Sequence, residues 1–207
     1  MSANKGSFQF ELFGGALCLD FVNTLDDRPA EEPKELLRSY SDFAQFARQA
    51  GIVVPAQLHR LLELSGASPH HAERALTNAI RLREALNAIF ESVARKRPVP
   101  QGALEALNEF VQEAARHSRI IPGKTHFQWG MDDSADDLES PLWPIVRSAA
   151  DLLVSDQLPY VRACSSKTCQ WLFVDTSKNH RRRWCDMKVC GNRAKSRRFY
   201  SRQKKEN

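Results

Sequence analysis

Four cysteines near the end of the chain stand as two pairs, Cys164 with Cys169 and Cys185 with Cys190. Each pair encloses four residues, and fifteen residues separate the pairs. Two close pairs across a medium spacer form a zinc-site pattern. Zn²⁺ favours tetrahedral coordination by thiolates at about 2.3 Å, and four of them close its shell. No position is then left for water, so the expected cofactor is one structural Zn²⁺ held by Cys164, Cys169, Cys185 and Cys190. His180 lies between the pairs, but its spacing pairs with nothing. Neither pair is C-x-x-C, which argues against a redox centre. The opening residues, Met1 to Ser7, lack the apolar core of a signal peptide. A cytoplasmic chain with reduced cysteines is therefore expected.

Charge changes sign where the cysteines begin. Residues 164–207 carry thirteen Lys and Arg against three acids, a net +10, while the rest carries 17 basic and 22 acidic residues, a net −5. Two independent signals thus break at one place, and Pro159 disfavours helix just before it. The expected division is a domain over 1–158 and a small module over 159–207. At 207 residues the chain suits one substantial domain with an appendage. It has no run of about 18 apolar residues, so no membrane span is expected.

Within the module, residues 170–175 (Gln-Trp-Leu-Phe-Val-Asp) have strand composition. Trp171 and Phe173 would face one side, and Leu172 and Val174 the other. Residues 175–179 read as a turn, Arg181 to Trp184 as the returning strand, and Asn192 as the cap of a helix over 193–203. The module is a small zinc-bound β-hairpin plus helix, whose core is too small to stand without metal.

The module's arginines suit phosphate and guanine edges, both of which they bind bidentately. The candidate nucleic-acid-binding residues are Arg181, Arg182, Arg183, Asn192, Arg193, Lys195, Arg197, Arg198 and Arg202. DNA is favoured, because a helix with a basic face fits the major groove. An RNA-binding regulator is an alternative, with Trp171, Trp184, Phe199 and Tyr200 stacking single-stranded bases. A zinc-containing protein-interaction adaptor that docks an acidic partner is another.

The first 158 residues read as mainly α with a small antiparallel β element. Residues 8–13 alternate apolar and polar, the strand period, and Thr125 to Trp129 is a strand that could pair with them. Leu17, Phe21 and Leu25 mark a short helix. Pro33 opens a helix carrying Leu36, Leu37, Tyr40, Phe43 and Phe46, with Gly51 just past its end. Further helices run over 55–65, from Ser68-Pro69 to about Arg97, from Pro100 through Ala114, and from Ser140-Pro141 through Leu153.

Cys185 to Arg193 (Cys-Asp-Met-Lys-Val-Cys-Gly-Asn-Arg), with Leu172 to Ser177, Arg182 to Cys185 and the basic end, resembles the CGNR zinc-finger family. Gly15 to Thr24 (Gly-Ala-Leu-Cys-Leu-Asp-Phe-Val-Asn-Thr) resembles the opening of the ABATE domain that accompanies this finger. The resemblance implies a bacterial stress-induced transcription regulator. Its finger would hold zinc through Cys164, Cys169, Cys185 and Cys190 and would bind DNA, and its N-terminal domain would sense a small molecule or a protein partner. Such regulators often bind as homodimers.

Asp20, Asn23 and Thr24 sit among apolar residues. They are candidates for a ligand pocket, and equally for a buried network that fixes the first helix; the second reading is favoured. Cys18 reads as a buried thiol. The acidic run over 132–139 suggests a loop that could dock on the basic module and mask it. Nucleotide-binding and hydrolase motifs are missing, so no enzyme activity is expected.

Overall fold

A computed structural model describes residues 8–131, 137–197 and 203. The N-terminal part is a helical assembly around one apolar core, as its composition predicts. Its elements are α1 (Leu17–Val22), β1 (Leu25–Asp26), β2 (Lys34–Glu35), α2 (Tyr40–Gln49), α3 (Pro55–Ala67), α4 (Pro69–Ala94), α5 (Gln101–His117), β3 (Ser118–Pro122), β4 (Phe127–Met131) and α6 (Leu142–Leu153). A 3₁₀ turn at Leu158–Tyr160 leads into β5 (Val161–Ala163) and β6 (Leu172–Val174). Among the described residues the strands form three two-stranded antiparallel sheets, β1–β2, β3–β4 and β5–β6.

Helix ends follow local chemistry. Ser39 caps α2 by accepting from the Asp42 N–H at 3.2 Å. Gly51, at φ +75°, takes the left-handed turn past its end. Prolines sit at the first turn of α3 and α4. Short α1 is central: Cys18, Leu19, Phe21 and Val22 are all buried, against α4, α6 and β6. Phe21 packs on Phe46 at 5.6 Å between ring centroids and on Phe43 at 6.1 Å. Asn23 and Thr24 are buried directly after this helix.

Arg83 of α4, only 2% exposed, pairs bidentately with Glu35 at 2.6 and 2.7 Å. Its Nε donates to Glu84 at 2.9 Å. Burial opposes the guanidinium charge, but the bonds and charges of Glu35 and Glu84 outweigh it and hold the pKa above its ordinary value.

Four expectations are corrected. Residues 8–13 form no strand: the Gln49 side chain meets their backbone instead, accepting from Phe10 N–H at 2.8 Å and donating to Phe8 O at 2.7 Å. The alternation does not track burial either: of its apolar positions Phe10 is inside, while Phe8 and Leu12 are exposed. Strand β4 pairs with β3, not with residues 8–13. The segment after Pro33 pairs with β1, and the helix starts only at Tyr40. In the C-terminal module β6 pairs with β5, so the hairpin closes around the Cys164–Cys169 loop, while residues 181–184 form no strand.

Candidate metal centre

The β5–β6 hairpin supplies the first cysteine pair. Cys164 follows β5, and its N–H donates to Trp171 O at 2.8 Å. The intervening loop closes with Cys169 N–H donating to Ser166 O at 3.2 Å. The second pair brackets a helical turn, Met187–Gly191, which continues as helix over 192–197. Asp186 caps that turn, its Oδ1 accepting from Val189 N–H at 2.7 Å. Asn192 is therefore a residue within the helical run, with φ −68° and ψ −41°, and not its cap.

The four sulfurs converge within 4.8 Å of one another, and all four cysteines are buried. None is in a disulfide. Cys169 Sγ lies 3.6 Å from Cys185 Sγ, and Cys185 Sγ lies 3.7 Å from Cys190 Sγ. The edge of a tetrahedron with bonds of about 2.3 Å to zinc is about 3.8 Å, so the cradle fits that ion. Without a cation the four thiols do not ionise together. Hydrogen bonds from Cys169 and Cys185 lower the Cys164 thiol, while bonding to Cys164 and burial push Cys169 and Cys185 up. Burial also pushes Cys190 up. A central dication makes four thiolates tenable together. His180 stands apart from the sulfurs, stacked on Tyr160 at 3.8 Å.

The faces of β6 fall as the alternation predicts. Trp171 and Phe173 join the four cysteines in a small apolar cluster. Leu172 and Val174 join the main core. Buried Asp175 organises the next turn, accepting from Ser177 N–H and Oγ and from Arg182 N–H at 3.0, 2.6 and 2.7 Å. Burial pushes its carboxyl up, but these donors outweigh that and hold it below the ordinary carboxylate range.

The candidate nucleic-acid residues fall into three groups. Arg198 and Arg202 lie outside the described residues. Arg181, Arg183, Asn192, Arg193, Lys195 and Arg197 are exposed. Arg182 is half-buried and engaged within the module: it donates to Trp184 O at 2.8 Å and to Cys185 O, with its guanidinium 4.7 Å over the Phe173 ring. A groove of about 680 Å³ runs beside the second cysteine pair, lined by Thr168, Lys188, Val189, Asn192, Arg193, Ser196 and Arg197. Arg197 also donates to Ser166 Oγ at 3.3 Å.

The polar atoms of the other candidates are engaged in the fold. Asp20 Oδ1 accepts from Gly14 N–H at 2.7 Å, and burial pushes its carboxyl up to about 6. Thr24 Oγ1 donates to Phe21 O at 2.7 Å. Asn23 bonds both polar groups of Leu172, at 2.9 Å each. Cys18 is fully buried, and burial pushes its thiol up to about 12. Of the acidic run, residues 132–136 lie outside the described residues. Glu139 is tied to Asn78 of α4 at 2.8 Å.

Sequence reasoning missed Asp26, Asp186 and the inward role of Arg182. Asp186 had a signal, an Asp three residues before Val189 at a helix start. Asp26 and Arg182 had none, since their partners are fixed only by the tertiary fold.

A four-thiolate metal module seated against a helical domain defines a zinc-finger protein with a large accessory domain. Residues 15–156 match the ABATE family model, described as "Putative stress-induced transcription regulator", and residues 160–203 match the CGNR zinc finger. The chain belongs to the ABATE family and carries the CGNR zinc finger after it. No curated protein matches the chain significantly. Among the described residues, no helix is long and apolar enough to cross a membrane.

Proposed function

We propose that the chain is a cytoplasmic DNA-binding transcription regulator and not an enzyme. Residues 159–207 form its zinc-dependent DNA-binding module, and residues 1–158 respond to a small molecule or a protein partner. Zinc holds the β5–β6 loop and the 187–197 helical run together, so that the module's exposed cations present one surface to the phosphate backbone. The observation that carries this reading is that Arg181, Arg183, Arg193, Lys195 and Arg197 are exposed in the same small module whose four buried cysteines converge on one centre. Asn192 and Arg193 line the adjoining groove, and these residue types pair with adenine and guanine edges.

The test is fluorescence anisotropy of the zinc-loaded full chain on duplex DNA, followed by selection from a random duplex pool. With about six phosphate contacts, affinity falls by ~10³ between 50 and 200 mM salt. Binding that ignores salt, or zinc loading with no enriched sequence, overturns the reading. Zinc loading without enrichment supports the adaptor, and preference for single strands supports the RNA-binding regulator.

A further inference from the structure

The metal module does not position its own first cysteine pair unaided. Trp171 and Leu172, two and three residues past Cys169, are held from a segment outside the 160–203 zinc-finger match. Asn23, 3% exposed, presents its carboxamide to Leu172 as a neighbouring strand would. Its Nδ2 donates to Leu172 O and its Oδ1 accepts from Leu172 N–H, both at 2.9 Å across 149 residues of chain. Asp26 Oδ1 accepts from the Trp171 indole N–H at 2.8 Å, across 145 residues. Gly14 O accepts from Val174 N–H at 2.8 Å, and Arg95 at the end of α4 donates to Gln170 at 2.8 Å. The carbonyl of the pinned Trp171 is the acceptor for Cys164 N–H. Fixing Trp171 and Leu172 therefore fixes Cys164 relative to Cys169.

We propose that Asn23 and Asp26 are positioning residues of the metal centre, so that metal affinity depends on the α1–β1 segment. Residues that orient metal ligands from behind are worth about 10–100-fold in affinity. By linkage, the metal in turn stabilises the seat of α1. The polar residues after the α1 apolar stripe thereby acquire a role in the centre, not in a ligand pocket. The proposal rests on the four-cysteine metal assignment and is independent of DNA binding.

The test uses the full chain with Asn23→Ala, Asp26→Ala and Asp26→Asn. Zinc affinity is read by competition with a chromophoric chelator, and the Co²⁺-substituted centre is read by its visible spectrum. Asn23→Ala and Asp26→Ala are expected to bind zinc about tenfold or more weakly, with a perturbed cobalt spectrum. Asp26→Asn keeps an oxygen for the indole and should restore both readouts. Asp26→Ala changes a half-buried site, so it carries the test even if Asn23→Ala fails to fold. A purely structural role would lower the thermal midpoint while leaving zinc affinity and the cobalt spectrum unchanged. That result overturns the proposal, as does Asp26→Asn binding as weakly as Asp26→Ala. A wild-type chain that takes up no zinc overturns the metal assignment itself, and the proposal with it.

Discussion

Asp20 sits in the first turn of α1, and burial pushes its carboxyl from 3.8 up to about 6, only partly offset by the Gly14 N–H. Between roughly pH 4 and 6 the folded chain therefore binds more protons at this site than the unfolded chain. Stability from Asp20 is full below that window and is lost as pH rises through it. The shift of about two units corresponds to ~3 kcal/mol. Solvent reaches part of the side chain, so about 1–2 kcal/mol is the working figure. Asp20→Asn keeps an oxygen to accept from Gly14 N–H and removes the charge. It should raise the thermal midpoint at pH 7 by about 2–8 °C for a chain of this size. The advantage should shrink as pH falls toward 5. Thermal unfolding of zinc-loaded wild type and variant, followed by circular dichroism from pH 5 to 8, measures it. Because both proteins share the four cysteines, subtracting one midpoint from the other removes the metal's own pH dependence. A difference that stays constant with pH, or a variant less stable than wild type at pH 7, would refute the argument. The Gly14 N–H would then compensate the carboxylate charge in full.

Two arginines close in sequence should separate cleanly. Arg182→Ala frees two carbonyls from a charged donor and should cost about 2–3 kcal/mol, with weaker zinc retention. Arg193→Ala should leave the midpoint nearly unchanged, while weakening DNA binding and reducing its salt slope by about one. Two glycine substitutions should move urea midpoints in opposite directions. A Cβ on Gly14 would meet the Asp20 backbone N at 2.8 Å and Leu19 Cβ at 2.9 Å, costing about 1–3 kcal/mol. Gly66, inside α3 with nothing within 4 Å, should gain up to about 1 kcal/mol as Ala. Arg83→Met should destabilise by about 2–3 kcal/mol in the same assay, less than the ~3–5 kcal/mol of breaking a fully buried pair because Glu35 and Glu84 can turn to water.

The metal centre was legible because four thiols at this spacing have few other uses, and the two faces of β6 followed from strand alternation alone. Most helices were legible from capping residues and from their apolar stripes. Strand partners were not. Period-two alternation is silent on what meets the backbone, and in residues 8–13, where Phe10 is buried but Phe8 and Leu12 are exposed, it does not report a buried face either. For residues 8–13 that partner is the side chain of Gln49; for Leu172 it is β5 on one edge and Asn23 on the other. A long-range carboxamide clamp leaves no local pattern. The same holds for Arg182: its sequence neighbours make it look like one cation among three, while Trp184 and Cys185 carbonyls turn it inward.

In the proposed regulator, zinc assembles the surface that meets DNA. One measurement addresses it directly: anisotropy of a fixed duplex pool titrated with the full chain as zinc-loaded, chelator-treated and zinc-restored protein, at constant ionic strength. Binding is expected to be lost on zinc removal and to return when zinc is restored. Equal binding in all three states would contradict it, since the arginines would then act as a basic tail needing no assembled module.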